Sequence, residues 1–432
     1  MVASEPMGSE EKAAATAPAG CPHLEGFDPV VHEQVGNPWP YLEEARAEVP
    51  VFYMPEYEMW CVTRHEDVLA VYRDPVTFSN EGSHDMRVPI PKSLEGEVPA
   101  DYKFPFKGQL NTTDPPQHTR IRKLMQKAFT PRHVGEREGE IRELCNGLID
   151  AIEPAGKADF TGQFASPLPI TVISRVLGIP DDRTGGFRDW AEDFFRLSGA
   201  TTIPEDEATV RWRRMYEWDQ FIRGFIAERR AEPQADLTSD LINATGDSGE
   251  KQLTDDELLA NILGIVAAGA DTTTILITHT VFLLLRHRER WEEVEADRSL
   301  VANAVEETMR LMGPVRGLRR TTTAPVELGG VELPVGSTLY LHVGSASRDE
   351  DVFADGGHFD LHRDNSSKHL GFGIWTHFCI GAPLARLEGR TALDTLLDRL
   401  PSLRLADDEA LLDYTDNMVL PSPRRLDVEW DA

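Results

Sequence analysis

The ten residues FGIWTHFCIG at positions 372–381 decide which fold and chemistry this sequence predicts. They place Cys379 directly before a helix that begins near Pro383, a residue suited to the first turn of a helix. A single cysteine is most often a small buried apolar residue, and this interpretation stays open. The alternative is a thiolate stabilised by the helix N-terminus, with Gly381 letting N–H groups approach the sulfur and Phe372 excluding water. Such a thiolate is typical of a ligand for a soft metal ion.

A second stretch predicts a long helix through the centre of the protein. Thr254 and Glu257 form a capping box, in which each side chain satisfies a free backbone N–H group of the other residue. Apolar residues then continue to Leu285. Roughly thirty residues at about 1.5 Å each span about 45 Å. Because the segment is apolar nearly all round, we expect it to be buried on every side.

The middle of this helix carries residues that are poor choices for a buried helix. Residues 267–273 read AAGADTT, and a buried carboxylate at Asp271 is costly unless it is paired. One interpretation is a helix bend, in which Thr272 donates a hydrogen bond to the carbonyl of Ala268. The other is that Ala268 and Gly269 leave room for a flat group, beside which Asp271 and Thr272 form a proton path. This segment alone leaves both interpretations open.

Glu307 and Arg310 place opposite charges three residues apart, on one face of a helix. Such pairs are common on protein surfaces, where each contributes little to stability. Because the neighbouring residues are apolar, a buried structural pair is the alternative.

Taken in chain order, these motifs resemble those of the cytochrome P450 family, the haem-thiolate monooxygenases, and the resemblance covers nearly the whole chain after residue 22. It implies a mainly α fold with a small β region and a long central helix over haem b. By resemblance, Cys379 is the iron ligand, and a thiolate ligand favours O–O bond cleavage. Asp271 and Thr272 match the acid–alcohol pair that delivers protons for that cleavage. Glu307 and Arg310 match a buried ion pair with a structural role.

Four further residues match the groups that hold the haem propionates in this family. They are His118, Arg122, Arg320 and His377. His118 and Arg122 are four residues apart, so both can point from one helix face at one propionate. Charge-assisted hydrogen bonds to two buried carboxylates are strong. The resemblance places four more residues against the cofactor, namely Ala268, Gly269, Phe372 and Gly381.

The chain departs from the family pattern at two positions. Trp375 stands where the family loop usually has glycine, and a tryptophan at positive φ would be strained. We therefore expect that the turn is rebuilt and that the indole covers the cysteine side of the haem. His358 stands where many relatives have arginine, so the third partner of the Glu307–Arg310 pair is open.

The resemblance implies an enzyme that inserts one oxygen atom from O₂ into a small apolar organic molecule, by hydroxylation or oxidative dealkylation. The variable segments 81–112 and 187–225 are expected to form walls of the substrate pocket. Electrons are expected from a separate ferredoxin and its reductase. The alternatives are a peroxide-driven haem enzyme of the same fold and a non-catalytic haem-binding module. The presence of both Asp271 and Thr272 favours the O₂ route.

Composition limits what else the protein binds. The chain has 432 residues and a net charge of -29, which repels phosphate backbones and anionic lipid headgroups, so we expect no nucleic-acid or membrane partner. Four scattered cysteines without a CxxC pair argue against a disulfide framework and a structural zinc site. No apolar run reaches the roughly 18 residues of a membrane span. We expect a cytoplasmic protein, with a disordered tail at residues 1–22 and one domain from 23 to 432.

A protein of this charge should dock an acidic ferredoxin only on a local basic patch. The candidate cations lie in two helices that should face the cysteine side of the haem. They are Arg120, Lys123, Lys127, Arg386 and Arg390. Each of them could instead be an ordinary solvated surface charge.

Overall fold

The computed structural model describes residues 21–126, 129–200, 203–244, 253–409 and 411–431. The predicted tail at residues 1–22 lies outside the described residues except for its last two positions, and Lys127 lies outside them as well. Within the described ranges the chain is mainly helical, with three small sheets, as the sequence predicts.

The helices and strands are numbered here in chain order. The helices are α1 (His32–Gly36), α2 (Trp39–Glu48), α3 (His65–Arg73), α4 (Gln117–Met125), α5 (Pro131–Gly135), α6 (Glu138–Ile152), α7 (Pro167–Leu177), α8 (Phe187–Gly199), α9 (Glu205–Ala231), α10 (Leu237–Ile242), α11 (Asp255–Leu285), α12 (Arg288–Ala296), α13 (Val301–Met312), α14 (Val343–Ala346) and α15 (Ala382–Arg399). The strands are β1 (Val51–Met54), β2 (Met59–Val62), β3 (Phe78–Ser79), β4 (Lys157–Asp159), β5 (Leu318–Thr322), β6 (Val326–Leu328), β7 (Val331–Leu333), β8 (Thr338–Leu341), β9 (Arg404–Leu405) and β10 (Asp427–Glu429).

Helix α11 is the predicted central helix, and most of its residues are buried. Its capping box is formed: the N–H of Glu257 donates to Thr254 Oγ1 over 3.1 Å, and the N–H of Thr254 donates to a carboxylate oxygen of Glu257 over 3.0 Å. The helix packs against α7, α8, α9, α13 and α15. Apolar residues on every side therefore find apolar neighbours on every side.

By length and mean hydropathy, α11 is also the one helix of the described chain that could cross a membrane. In this protein 78% of its most apolar window is buried against other elements. A buried core helix can equal a membrane span in length and mean hydropathy.

The largest sheet has the strand order β1-β2-β8-β5-β3. Strands β5 and β8 pair antiparallel, with Arg320 opposite Leu339 and Thr321 opposite Thr338. Side chains alternate between the two faces of a strand, so Arg319 and Arg320 point to opposite faces of this sheet. Strands β6 and β7 pair antiparallel and form a separate hairpin.

Segment 187–225 lies mainly in α8 and α9, whose aromatic side chains pack on one another. The rings of Trp190 and Trp218 stack with centres 5.8 Å apart. Phe104 and Phe106, from the irregular segment 81–112, contact the ring of Phe194 in α8. The aromatic residues therefore join this segment to α8 and α9 in one apolar cluster.

Candidate active site

Cys379 lies in the loop between the short turn Trp375–His377 and α15. Its N–H donates to the carbonyl of Phe372 over 2.8 Å, which closes the loop. The side chain is accessible although protein surrounds it, so the sulfur faces a deep cleft. Burial raises the pKa of the Cys379 thiol, and hydrogen bonds from the backbone of Gly381 and Ala382 oppose that rise. The donors that stabilise a thiolate are therefore in place.

Gly381 has a smaller role than the sequence predicts. Its φ of -83° is open to any residue, and a Cβ atom there would lie 3.9 Å from the Cys379 sulfur, an ordinary contact. The N–H groups reach the sulfur without needing a glycine, so that part of the prediction is wrong. Phe372 is buried next to the loop, in a small apolar cluster with Leu276 and Met309, as an apolar cover requires.

Arg386, one turn into α15, fixes the loop. Its guanidinium donates hydrogen bonds of 2.5 and 2.8 Å to Glu306 and lies 4.5 Å from the centre of the Phe372 ring. Burial acts to raise the pKa of Glu306, but hydrogen bonds from Arg386 and His369 outweigh burial and lower that pKa to about 2. Because this ion pair occupies Arg386, the prediction that it serves as a docking cation is wrong.

The central helix opens one narrow face in the middle of its buried stretch. Ala268 is exposed and Thr272, one turn later, is partly exposed, whereas Ala267 and Ala270 are buried. Thr272 donates a hydrogen bond of 2.6 Å to the carbonyl of Ala268, which is the bond that the helix-bend interpretation predicts. The helix continues through this point to Leu285 without interruption. Since α11 crosses the core, its open face borders an internal space.

Gly269 serves helix packing. A Cβ atom at this position would lie 2.8 Å from Cγ1 of Ile173, which is closer than two carbon atoms can approach. The glycine therefore lets α7 pack closely against α11. The sequence predicts that Gly269 makes room for a flat group, and the structure gives it this different role, while Ala268 stands on the open face.

Asp271 is buried next to the open face, with 6% of its surface exposed. Burial raises the pKa of its carboxyl to about 7, against the opposing effect of Arg188. Glu192 and Asp189 add to the rise. At neutral pH the carboxyl is therefore divided between its protonated and charged forms, which suits a group that takes up and releases protons.

The four predicted propionate ligands lie together. The rings of His118 and His377 have centres 4.2 Å apart. Both ring nitrogens of His118 and Nε2 of His377 are buried without a hydrogen-bond partner in the described part of the chain. Arg122 acts electrostatically on His118 and on Cys379, and Arg320 acts on His377. The cluster is thus continuous with the cysteine.

The electrostatics of this cluster show a shortage of negative charge. Burial lowers the pKa of His118 to about 4 and Arg122 adds to that effect, although Asp114 opposes it. Burial lowers the pKa of His377 to about 2, with repulsion from Arg320 in addition. The guanidinium of Arg320 donates a hydrogen bond of 2.7 Å to the carbonyl of Arg319. Unsatisfied donors and crowded cations fit the two carboxylates of a haem, which would restore both hydrogen bonds and charge balance.

Glu307 and Arg310 form the buried pair that the apolar surroundings indicate. Arg310 donates two hydrogen bonds of 2.7 Å to the carboxylate of Glu307, and both side chains are fully buried. The third partner is Arg363, whose Nε donates to Glu307 over 3.0 Å. His358 contributes its backbone carbonyl, which accepts from Arg310 over 2.7 Å. The question raised by His358 is therefore answered by a residue five positions later.

Trp375 keeps a left-handed backbone, with a φ of 51°. The expectation of a rebuilt turn is wrong, because the tryptophan accepts the strained conformation, at a cost of about 1–2 kcal/mol. The residue is 51% exposed, and the expectation that its indole covers the cysteine side of the haem stays a prediction. The guanidinium of Arg73, at the end of α3, lies 5.0 Å from the centre of the indole.

Sequence reasoning missed Arg363 and Arg73. Arg363 comes within an irregular polar segment, and no spacing marks it as a partner of Glu307. Arg73 lies about 300 positions before Trp375, and only the packing of α3 against the cysteine loop brings them together. Nothing in the order of residues indicates either contact.

Comparison with known proteins gives one consistent result. The family model described as cytochrome P450 matches residues 208–427. The cytochrome P450 monooxygenase PikC of Streptomyces venezuelae is 35% identical over 400 residues, covering 91% of each chain. The 6-deoxyerythronolide B hydroxylase of Saccharopolyspora erythraea is 34% identical and covers 90% of this chain and 95% of its own. The solved structure of the Tepidiphilus thermophilus P450 heme domain superposes with a TM-score of 0.85 at 33% identity, covering 94% of this chain and 97% of that one.

Proposed function

The chain belongs to the cytochrome P450 family and is a haem-thiolate monooxygenase that works with redox partners, and on this premise we propose which of its residues carry the reaction. Cys379 holds the haem iron as a thiolate. The propionates are held by His118, Arg122, Arg320 and His377. Thr272 and Asp271 supply protons. A peroxide-driven enzyme and a non-catalytic haem module are not favoured, since the named relatives are a monooxygenase and a hydroxylase.

One observation carries this assignment: the accessible Cys379 sulfur and the buried imidazoles without hydrogen-bond partners belong to one electrostatic cluster. Arg122 acts on both Cys379 and His118, so the iron ligand and the propionate ligands share one electrostatic environment. A haem presents its iron at the centre and its carboxylates at one edge, which is the pairing of groups that this arrangement serves. Buried imidazoles without partners beside an accessible thiol fit this role.

When bound, the haem supplies the chemistry that splits dioxygen and transfers one oxygen atom to a C–H bond. The chain supports that chemistry from the α15 side. With the haem bound, the Cys379 thiolate would push electron density toward the iron, and N–H groups of Gly381 and Ala382 would stabilise the charge on sulfur. Phe372 keeps water away from the sulfur. Arg386 holds the loop in place through its ion pair with Glu306.

Proton delivery is assigned to the open face of α11. Thr272 holds its proton at Oγ1, which donates to Ala268 in the resting geometry and can turn toward the cleft by rotation of the hydroxyl. Asp271 is the neighbouring store, since its pKa of about 7 lets it bind and release a proton near neutral pH. The Thr272 hydroxyl therefore delivers a proton to the cleft, and the Asp271 carboxyl supplies the proton that replaces it.

Replacing Thr272 by alanine tests this assignment. With a compound that shifts the ferric spectrum, we expect NAD(P)H consumption to persist and peroxide release to rise, because general acid steps contribute about 10²–10⁴-fold. Thr274→Ala is the matched control: Thr274 makes the same kind of hydrogen bond, 3.0 Å to Ala270, but is buried away from the open face. Unchanged coupling in Thr272→Ala, or an equal loss in Thr274→Ala, would leave only the helix-bend interpretation.

The pH dependence of coupling tests Asp271 separately. The proton-delivering form of the carboxyl is the protonated one, which is lost as pH rises through about 7. We expect peroxide release by the wild-type enzyme to increase between pH 6 and pH 8, and Asp271→Asn to release more peroxide with no such dependence. A wild-type profile that is flat over this range would contradict the role.

The electron donor that fits this surface is an acidic ferredoxin with its reductase. We define the docking patch as Arg73, Lys123, Trp375 and Arg390. The three cations are exposed, and the ion pairs of the described residues include none of them. Arg73 lies against the Trp375 ring, and Arg390 donates a hydrogen bond to the carbonyl of Arg386. Arg120 is left out because it pairs with Glu257. On a protein with a net charge of -29, such a patch around the Cys379 loop is where an acidic partner meets attraction instead of repulsion.

Reversing the charge of Lys123 and Arg390 to glutamate tests the docking patch. We expect slower reduction by ferredoxin, with a larger effect at low salt, because salt shortens the range of the attraction. Reduction by dithionite should not change. The matched control is Arg425→Glu, an exposed arginine outside the patch. Equal ferredoxin reduction rates for the reversed variant and wild type across a salt series would place docking on another face.

The substrate that fits the aromatic cluster of α8, α9 and segment 81–112 is a small apolar organic molecule. Phe104, Phe106 and Phe194 pack on one another in this cluster, with ring centres 5.1–6.1 Å apart. A spectral binding screen of apolar compounds against the ferric protein tests this class. We also propose that the enzyme works in the cytoplasm, where NAD(P)H is available, and cell fractionation tests that location.

A further inference from the structure

A small polar cavity lies on the sheet face opposite the propionate ligands. It has a volume of about 140 Å³. Its lining residues are Tyr57, Glu58, Met59, Gly82, Ser83, Arg87, Arg319, Thr321 and Thr338. Arg319 lines it from β5, whereas its neighbour Arg320 points to the other face. A water molecule takes about 30 Å³ in the liquid, so the cavity is the size of one small polar group with a few waters.

Two guanidinium groups in this cavity have no ion-pair partner among the described residues. Arg87 donates a hydrogen bond of 2.9 Å to the carbonyl of Tyr57, and its Nη1 is buried without a hydrogen-bond partner. Arg319 makes one long hydrogen bond, 3.4 Å to the carbonyl of Asp85. The two cations face each other across the cavity closely enough to interact: burial, and Arg87 in addition, lower the pKa of Arg319 to about 10. Arg319 nonetheless remains a cation at neutral pH.

Hydroxyl groups complete the donor set. Thr321 and Thr338 are directly opposite each other in the β5–β8 pair, so their side chains lie side by side on the same face as Arg319. Glu58 also lines the cavity and sets one negative charge against the two guanidinium groups, and Asp85 acts electrostatically on Arg319 from the adjoining loop. Planar guanidinium groups with adjacent hydroxyls match the oxygen atoms of a carboxylate or a phosphate.

The cavity wall is continuous with the elements expected to contact substrate. Ser83 and Arg87 come from the loop that follows β3, and His84 between them lies against the ring of Phe194 in α8, with centres 6.1 Å apart. The N–H of Arg87 donates 3.0 Å to the carbonyl of Leu197 at the end of α8. The same loop thus borders the aromatic cluster on one side and the cationic cavity on the other.

We propose that this cavity, which we call the Arg87–Arg319 pocket, binds a carboxylate or phosphate group, and that this group is the anionic end of the organic substrate. The inference rests on the proposed function for the substrate's apolar part only. An apolar body lies against the aromatic cluster while its charged end is held by Arg87 and Arg319. The pocket therefore orients the substrate and selects amphipathic acids over neutral compounds of the same shape.

The first test concerns the pocket itself and needs no turnover. The holoenzyme is treated with phenylglyoxal, which modifies arginine side chains, and modification is mapped by mass spectrometry with and without inorganic phosphate. We expect phosphate to protect Arg87 and Arg319 and not the exposed Arg425. Equal modification of Arg87 and Arg319 with and without phosphate overturns the pocket, whatever the outcome of the proton-delivery experiments.

The second test identifies the source of the anion. Ferric binding spectra are compared for hexadecanoic acid and its methyl ester, and for cholanoic acid and its methyl ester. We expect each acid that binds to do so roughly tenfold more tightly than its ester, and Arg319→Gln to remove that preference while leaving ester binding unchanged. Arg425→Gln should behave as wild type.

Glu58→Gln is an independent variant that should change anion binding in the opposite direction from Arg319→Gln. Removing the one carboxylate of the pocket should strengthen phosphate protection and acid binding, so a misfolded arginine variant cannot imitate the result. Phosphate protection combined with no preference for either acid would overturn the assignment to the substrate and leave a site for a free anion. An acid preference that survives in Arg319→Gln would overturn the role of the pocket in substrate binding.

Discussion

Two clusters of buried charge in this protein differ in completeness. Around Glu307, two arginines donate to one carboxylate, and the remaining N–H groups of Arg310 donate to backbone carbonyls. Around His118 and Arg320, cations and imidazoles crowd together, and although the carboxylate of Asp114 acts on both residues, the described residues give neither of them an ion pair. In a complete cluster the chain itself supplies every hydrogen-bond and charge partner, so the cluster has a structural role. An incomplete one shows where the charge of a ligand belongs.

The largest effect is expected at the complete cluster. Glu307→Gln leaves Arg310 and Arg363 buried without their anion, and breaking a buried pair in this way costs about 3–5 kcal/mol. We expect a much lower midpoint of urea unfolding or no folded protein at all. The control is Glu292→Gln, which breaks the exposed pair with Arg288 and should cost about 0.5 kcal/mol or less. Similar losses in the two variants would remove the distinction between a paired core cluster and a surface pair.

The incomplete cluster should affect haem retention instead of folding. Arg320→Gln and His118→Gln each remove a charge-assisted hydrogen bond of about 1.5–3 kcal/mol, so we expect haem transfer to apomyoglobin to be about 10–100-fold faster in each. The double variant should lose haem faster than either single variant. Arg319→Gln is the matched control, because its side chain lies on the other face of β5. A double variant that keeps its haem as long as wild type would show that the propionates bind elsewhere.

The smallest effect is expected from the backbone strain at Trp375. Trp375→Gly removes the strain of a non-glycine residue at a φ of 51° but also loses the indole and its contact with Arg73. We expect a gain of about 1 kcal/mol in stability, seen as a slightly higher unfolding midpoint, because the strain exceeds what an exposed cation–π contact contributes. Ferredoxin reduction should become slower in the same variant. A stability loss would mean that the indole holds the loop, and a faster reduction would exclude Trp375 from the docking patch.

The large features of the fold could be predicted because they follow from local rules. The capping box at Thr254, the apolar run to Leu285 and the position of Cys379 before a helix depend on residues close together in sequence. The four residues that we propose as propionate ligands are indicated by the family resemblance alone. Their lack of partners is a property of the packed protein, and it adds a physical reason that the motifs do not contain.

The predictions that were wrong concern contacts between distant segments. Arg386 looked like a free surface charge because its partner, Glu306, lies 80 positions earlier. Gly269 looked like space for a cofactor because the residue that needs its missing side chain, Ile173, belongs to another helix. Trp375 was expected to avoid a left-handed backbone, but the loop around Cys379 constrains it more strongly than its own preference does.

The central claim is that Cys379 is the thiolate ligand at the centre of the incomplete cluster. The most direct measurement is the absorption spectrum of the ferrous carbon-monoxide complex, in wild type, Cys379→Ala and Cys145→Ala. Cys145 is the matched control because it is a buried cysteine in the apolar core. We predict the red-shifted Soret band of thiolate ligation in wild type and Cys145→Ala, and its loss in Cys379→Ala. Survival of that band in Cys379→Ala would contradict the account.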